Sequence, residues 1–327
     1  MRFAYGLALL VATAVPAATS AITPVWALEL SLPIRCEPGA TCMVQSLVDA
    51  DPGPGRRDAF CGAATYDGHK GTDFRVADVA AQKRGVDVLA PAPGRVTAVR
   101  DGEPDRMDPA SVRDGRDCGN GVVIDHGGGW TTQLCHLARD SVRVAKGARV
   151  ERGQTIGRVG LSGRTEFPHV HMTVRREGRV VDPTSGAVVE EAGVQACASA
   201  GTDASLWDAR ARAAVRGDRT VAVGAGFSGG AVEGRDVTRS RVAKPGKDGP
   251  LVFWVQFTNV EAGDRLEIAV DGFREPVRSA SVLEKPQALR TAFAGRRRAG
   301  PGRYEGRARL VRDGAVVAEA ERAWVRE

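Results

Sequence analysis

"GNGVVIDHGGGWTTQLCHL", Gly119 to Leu137, decides how the first half of the chain folds. Val122 to Asp125 and Trp130 to Leu137 are short β-prone runs, and "HGGG" between them suits a tight reversal, so the stretch reads as an antiparallel hairpin. The same grammar recurs on both sides. "GVDVLAP", "GRVTAVR", "VERGQTIGRVG" and "PHVHMTVRREGRVVDP" are apolar runs separated by Gly, Pro and Asp, and "RREGRVV" offers a second hairpin. Residues 61–190 therefore read as all-β. Between Arg100 and Cys118, "DGEPDRMDPASVRDGRD" is too polar for a core element. It reads as a long surface loop, either a wall or lid of a functional site or a mobile insertion.

Residues 28–60 read as an irregular extension ending in "DPGPGRRDAFC", whose Pro and Gly force turns. Residues 198–216 look like a connector with a short helix. Beyond them, "LVFWVQFTNV", "RLEIAVDGF", "ALRTAFAG", "GRYEGRARLV" and "AVVAEAERAWV" restore β patterning. Leu266, Ile268 and Val270 alternate with Arg265, Glu267 and Ala269, the mark of a strand with one buried face. Six or seven such strands predict an immunoglobulin-like β-sandwich in residues 198–327.

The 327 residues, 43% hydrophobic and 26% charged, suit a soluble protein of two domains. The first 27 residues carry one early Arg2, an apolar centre and small residues before Leu28, the form of a secretory signal peptide. Pro16 interrupts an apolar part already shorter than the roughly 20 residues of a membrane span. Arg35 precedes Cys36 where a lipoprotein signal needs a small residue, so no stable membrane anchor is expected. The expectation is an exported protein, periplasmic or secreted. Its six cysteines are an even count compatible with three disulfides in an oxidising compartment. Of the open pairings, Cys36 with Cys42 closes a small ring, Cys118 with Cys135 joins the hairpin runs, and Cys61 with Cys197 remains by elimination. A thiolate metal site is the competing reading, but no C-x-x-C spacing occurs.

The net charge of +6 is unevenly spread, because residues 198–327 hold 23 Lys and Arg against 17 Asp and Glu. Such a module suits an anionic surface such as cell-wall polymer, or simply a solvated basic face. No nucleic-acid partner is expected. No His or Cys lies after Cys197, so the module brings little catalytic raw material.

All five histidines, His69, His126, His136, His169 and His171, lie in the first domain. In "FPHVHMTV" two of them are two residues apart on a β-prone run, and a strand turns both to one face. Asp73 follows His69 by four residues in "GHKGTDF", where Gly68 and Gly71 argue for a turn entering a strand instead of a helix. Two imidazoles and a carboxylate, with a fourth position left to water, make a hydrolytic zinc site. His69, Asp73 and one histidine of the pair satisfy that count, leaving the other and His136 to move protons or stabilise an oxyanion.

"HKGTDF", "GNGVVIDHGGGW", "CHL" and "FPHVHM" occur in the order and approximate spacing of the lysostaphin/LytM-type zinc metallopeptidases, endopeptidases of peptidoglycan, which the chain resembles over about residues 60–190. The resemblance implies an antiparallel β-sheet metallopeptidase domain of the duplicated hybrid motif type. It implies His69, Asp73 and His171 as ligands of Zn2+, with His136 and His169 as catalytic histidines. His126 matches a position of structural character. Three departures bear on substrate contacts: Leu134 stands where relatives often carry an aromatic residue, "TEF" precedes "PH" in place of smaller residues, and segment 101–117 is long.

The expected function is a zinc metalloendopeptidase that hydrolyses peptide cross-links or stem peptides of peptidoglycan. The alternative is a non-enzymatic envelope factor that binds and activates other wall hydrolases, and a third reading is a peptidase of glycine-rich proteins. Residues 198–327 are expected to be a separate accessory module, open to an envelope protein partner, that tunes where the enzyme works and not what it cleaves.

Overall fold

The computed structural model describes residues 1, 28–189 and 204–327. Residues 2–27 of the expected signal peptide, and Cys197 of the expected pair with Cys61, therefore lie outside those described. Among the described residues, ten strands build the first unit. In chain order they are β1 (Cys42–Ser46), β2 (Thr72–Val76), β3 (Asp87–Leu89), β4 (Gly94–Arg100) and β5 (Asn120–Gly127), then β6 (Trp130–Leu137), β7 (Arg149–Val150), β8 (Thr155–Arg158), β9 (His169–Arg176) and β10 (Arg179–Val181). The main sheet runs β1-β2-β9-β6-β5-β4-β7, with β10 added beside β9, while β3 and β8 form a small second sheet. Every pairing between these strands is antiparallel.

Both expected hairpins form. Gly127, Gly128 and Gly129 all have positive φ, a left-handed path that side chains with a Cβ resist, and they return β5 into β6. Glu177 and Gly178, also at positive φ, return β9 into β10. Leu134, Val170, Met172 and Phe74 are buried in one apolar cluster. Leu134 is thus core and forms no wall of a substrate site. Two expected disulfides, Cys36–Cys42 and Cys118–Cys135, are present.

Residues 28–60 are more ordered than their irregular sequence suggests. They supply β1, and Leu28, Leu30, Leu32 and Ile34 sink into the same cluster. Hydrophobic burial, not local periodicity, fixes this segment. The loop after β4 is also tied down. The Asp101 carboxylate accepts from the amides of Asp140 and Val142, and Asp105 accepts from those of Leu161 and Arg139. The connector contributes a helix, Ala209–Arg216, whose N-cap Asp208 accepts from the Ala211 amide at 2.8 Å. Trp207 before it is buried edge-on against Phe74.

Seven strands form the second unit: β11 (Ala222–Ser228), β12 (Leu251–Val260), β13 (Arg265–Asp271), β14 (Val277–Val282), β15 (Gln287–Arg296), β16 (Gly302–Arg312) and β17 (Ala315–Arg326). A sheet ordered β11-β12-β15 and another ordered β14-β13-β16-β17 share a core that includes Phe253, Phe257, Ile268 and Leu310. Three strands with four is the count of a constant-type immunoglobulin sandwich, with the fourth strand carried on the opposite sheet. The sandwich is docked on the first unit. Gln45 Nε2 donates to the Ala288 carbonyl at 2.9 Å, Asn259 Nδ2 to the Gln45 carbonyl at 2.9 Å, and Arg239 Nη2 to the Met107 carbonyl at 2.9 Å. Among the described residues no helix is long and apolar enough to cross a membrane.

Candidate metal centre

Antiparallel register carries the sequence pattern into space. β2 and β9 pair Asp73 with His171 and Arg75 with His169, so the carboxylate and the H-x-H pair are neighbours across one ladder. His69 enters from the turn before β2. Gly71 in that turn has no room for a side chain, since an added Cβ would lie 2.5 Å from His171 Cε1 and Nε2 and 2.7 Å from the Met172 carbonyl oxygen. The glycine therefore lets the His171 ring approach the chain.

His69 Nε2 lies 3.2 Å from Asp73 Oδ1 and 3.2 Å from His171 Nδ1, and His171 Nδ1 lies 2.8 Å from Asp73 Oδ1. Metal–ligand bonds of about 2.0–2.1 Å in a tetrahedron put neighbouring ligand atoms roughly 3.3 Å apart. The triangle fits three corners of such a site. Hydrogen bonds on the far sides set the donor atoms. The Leu47 carbonyl can only accept, so His69 Nδ1 donates to it at 2.6 Å and Nε2 keeps its lone pair. In the tautomer that donates Nε2–H to Thr173 Oγ1 at 3.0 Å, His171 keeps its Nδ1 lone pair. Three electron-rich atoms then face one another, an arrangement that calls for a cation. Among the described residues these three are the group of His, Cys, Asp or Glu that meets in this way.

The electrostatics couple the carboxylate to the rings around it. Burial opposes charge on Asp73, yet the surrounding His69, His169 and His171 outweigh it and hold the carboxyl well below its usual range. Burial likewise lowers His69, but the charge and hydrogen bond of Asp73 reverse this and raise it.

His136 and His169 form a second layer. Their ring centroids are 4.6 Å apart, and His136 lies 6.0 Å from the His171 ring. His136 Nδ1 donates to the Ser162 carbonyl at 2.8 Å and His169 Nδ1 to the Phe167 carbonyl at 2.9 Å, so each leaves Nε2 as an acceptor. His169 Nε2 is 3.5 Å from Asp73 Oδ1. Burial is the main reason both imidazoles sit below their usual pKa, His136 far below, assisted there by the neighbouring histidines. Both are therefore neutral bases at neutral pH. His136 reaches its position through a left-handed backbone, φ 63°, at the end of β6. Such strain costs about 1–3 kcal/mol, and here the Cys118–Cys135 disulfide and the bond from the His136 amide to the Cys118 carbonyl hold it.

His126 stays apart from this group. Its Nδ1 donates to the Pro93 carbonyl at 2.7 Å and its Nε2 meets Thr132 Oγ1 at 2.8 Å, the structural role expected for it. Sequence reasoning missed other contributors. Tyr66 packs on His69 with ring centroids 4.4 Å apart, and Phe167 packs on His169 at the same separation. Leu47 and Asp49 brace the His69 turn, Asp49 accepting from the Gly68 amide at 2.9 Å. Phe167 carried a signal in "TEF", whereas Leu47 acts through its backbone and carried none.

Residues 67–183 match the model of Peptidase family M23. The peptidoglycan DD-endopeptidase ShyA of Vibrio cholerae serotype O1 is 44% identical over 64 residues, 20% of this chain and 14% of that protein. ShyB, a peptidoglycan DD-endopeptidase of the same organism, is 35% identical over 114 residues, 35% of this chain and 22% of that protein. The chain thus spans less than a quarter of either relative. A crystal structure of a zinc containing peptidase from Vibrio cholerae is 28% identical, with 47% of this chain and 39% of that chain covered and a TM-score of 0.33.

Proposed function

We propose, from the match of residues 67–183 to Peptidase family M23, that the chain is a zinc metalloendopeptidase that hydrolyses peptide cross-links or stem peptides of peptidoglycan. The observation that carries the reading is the meeting of His69 Nε2, Asp73 Oδ1 and His171 Nδ1 within 3.2 Å of one another, beside two neutral imidazoles. Two nitrogens and one carboxylate oxygen suit zinc and leave a fourth position open. An ion held there would supply Lewis acidity to a peptide carbonyl and lower the pKa of a water molecule.

The chain's own residues do the rest. His169 and His136, each anchored through Nδ1, present Nε2 to take a proton from the attacking water and return it to the leaving amine. The imidazole that is protonated at a given moment becomes a donor to the oxyanion. Asp73, 3.5 Å from His169 Nε2, favours the protonated form of that ring and so aids proton capture. Cell-wall substrate is supported by the two relatives, both named peptidoglycan DD-endopeptidases. Action in an oxidising compartment outside the cytoplasm is supported by the Cys36–Cys42 and Cys118–Cys135 disulfides.

Side-by-side digestion tests the substrate. The zinc-loaded full chain is expected to solubilise purified sacculi and to leave a glycine-rich protein intact. Cleavage of the glycine-rich protein alone would reject the cell-wall reading, and inert sacculi beside an activated partner hydrolase would favour the non-enzymatic one.

A further inference from the structure

A cavity of about 720 Å³ lies between the two units, beside the metal centre. On one side it is lined by Tyr66 and Phe167, the two rings that cover His69 and His169. The opposite side comes from the sandwich and carries Arg235, Arg239 and Arg290. Glu166 is the single acid of the lining, against these three arginines. A void of this size accommodates a short peptide segment.

The three arginines differ in what occupies them. Arg235 is paired with Glu233 at 2.6 Å, and Arg239 donates to the Met107 carbonyl. The side chain of Arg290, half-buried on β15, has no hydrogen-bond or ion-pair partner among the described residues, and its buried Nε is unsatisfied. A buried guanidinium N–H without an acceptor is costly, and an anion seated on the group would supply one. The wall that carries it is also fixed. Arg75, buried on β2 two residues after Asp73, donates to Gln45 Oε1 at 3.1 Å, and Gln45 Nε2 donates in turn to the carbonyl of Ala288, two residues before Arg290. The ligand strand and the sandwich wall are thereby held in one register.

We propose that this cavity is a subsite of the cleft and that Arg290, supported by Arg239, binds a carboxylate of the substrate peptide. The sandwich then helps choose the substrate, contrary to the expectation of a separate module that tunes location alone. The inference rests on the peptidase reading above for the identity of its ligand. Charge complementarity and continuity with the rings over the two histidines commit it to an anionic peptide. Arg290 is a specificity residue, because it lies outside the reacting atoms.

The test uses a stem peptide with free carboxylates and the same peptide with its carboxylates amidated. Calorimetry on the zinc-loaded full chain carrying His169→Ala reads binding without turnover. The free acid is expected to bind about 10-fold more tightly than the amide, the scale of one charge-assisted hydrogen bond. Arg290→Gln should bring that ratio close to 1, and Arg290→Lys should restore part of it because the charge remains. Equal binding of acid and amide by the parent chain, or an unchanged ratio in a folded Arg290→Gln protein, would overturn the assignment. Hydrolysis by the chain with His169 intact is read separately. Loss of hydrolysis with the acid preference retained would count against the peptidase reading and leave this subsite standing.

Discussion

His69 Nδ1 donates to the carbonyl oxygen of Leu47 across 2.6 Å. The bond joins a histidine of the candidate metal site to a segment that precedes the family match at residues 67–183, so part of the candidate centre is built by chain outside the matched span. The Asp49 carboxylate continues the brace by accepting from the amides of Gly68 and Arg57. Loss of groups that orient metal ligands typically costs about 10–100-fold in affinity. Asp49→Ala is therefore expected to weaken zinc binding by that order while the far-UV circular dichroism spectrum stays that of the parent. Competition with a fluorescent chelator measures it, and parent-like affinity would show that the brace is idle.

Metal content and turnover should separate along the two layers of histidine. His69→Ala, Asp73→Ala and His171→Ala remove corners of the ligand triangle and should lose zinc and activity together. His136→Ala and His169→Ala should retain zinc and lose about 100- to 10,000-fold in turnover, the usual worth of a positioned proton carrier. Elemental analysis beside kinetics reads both quantities. Full stoichiometric zinc in His171→Ala would reject the ligand assignment.

Gly71→Ala offers a subtler probe. Its Cβ would stand 2.5 Å from the His171 ring, so the ring must move and the triangle must open. Zinc affinity is expected to fall at least about 10-fold, again the scale of misplaced ligands. Unchanged affinity would mean that the turn before β2 yields without disturbing His171.

The Cys118–Cys135 disulfide closes a sequence separation of 17 beside the strained backbone of His136. Replacing both cysteines by Ala should cost about 3 kcal/mol of stability, the loop-closure expectation for that length. Activity should fall further than the folded fraction does, because His136 loses its anchor. Denaturant unfolding and turnover at matched folded fraction check this together.

The sequence made the metal centre legible because its chemistry is concentrated in side chains. Period-two alternation puts His169 and His171 on one face, and the turn between Gly68 and Gly71 brings His69 to Asp73. The hairpins were legible through their glycines. What stayed hidden works through backbone or tertiary contact. Leu47 contributes only a carbonyl, β1 forms from a segment without clear periodicity, and Leu28 to Ile34 are fixed by burial. The docking of the sandwich was hidden for the same reason, since Gln45 and Ala288 lie 243 residues apart and one of the two bonds through its backbone.

Mass spectrometry of muropeptides released from purified sacculi tests the central claim most directly. The zinc-loaded chain is expected to release fragments with new peptide termini, to release none after chelation, and to recover when zinc is restored. Fragments produced equally in the presence of chelator, or products cut only in the glycan strands, would contradict a zinc endopeptidase built on His69, Asp73 and His171.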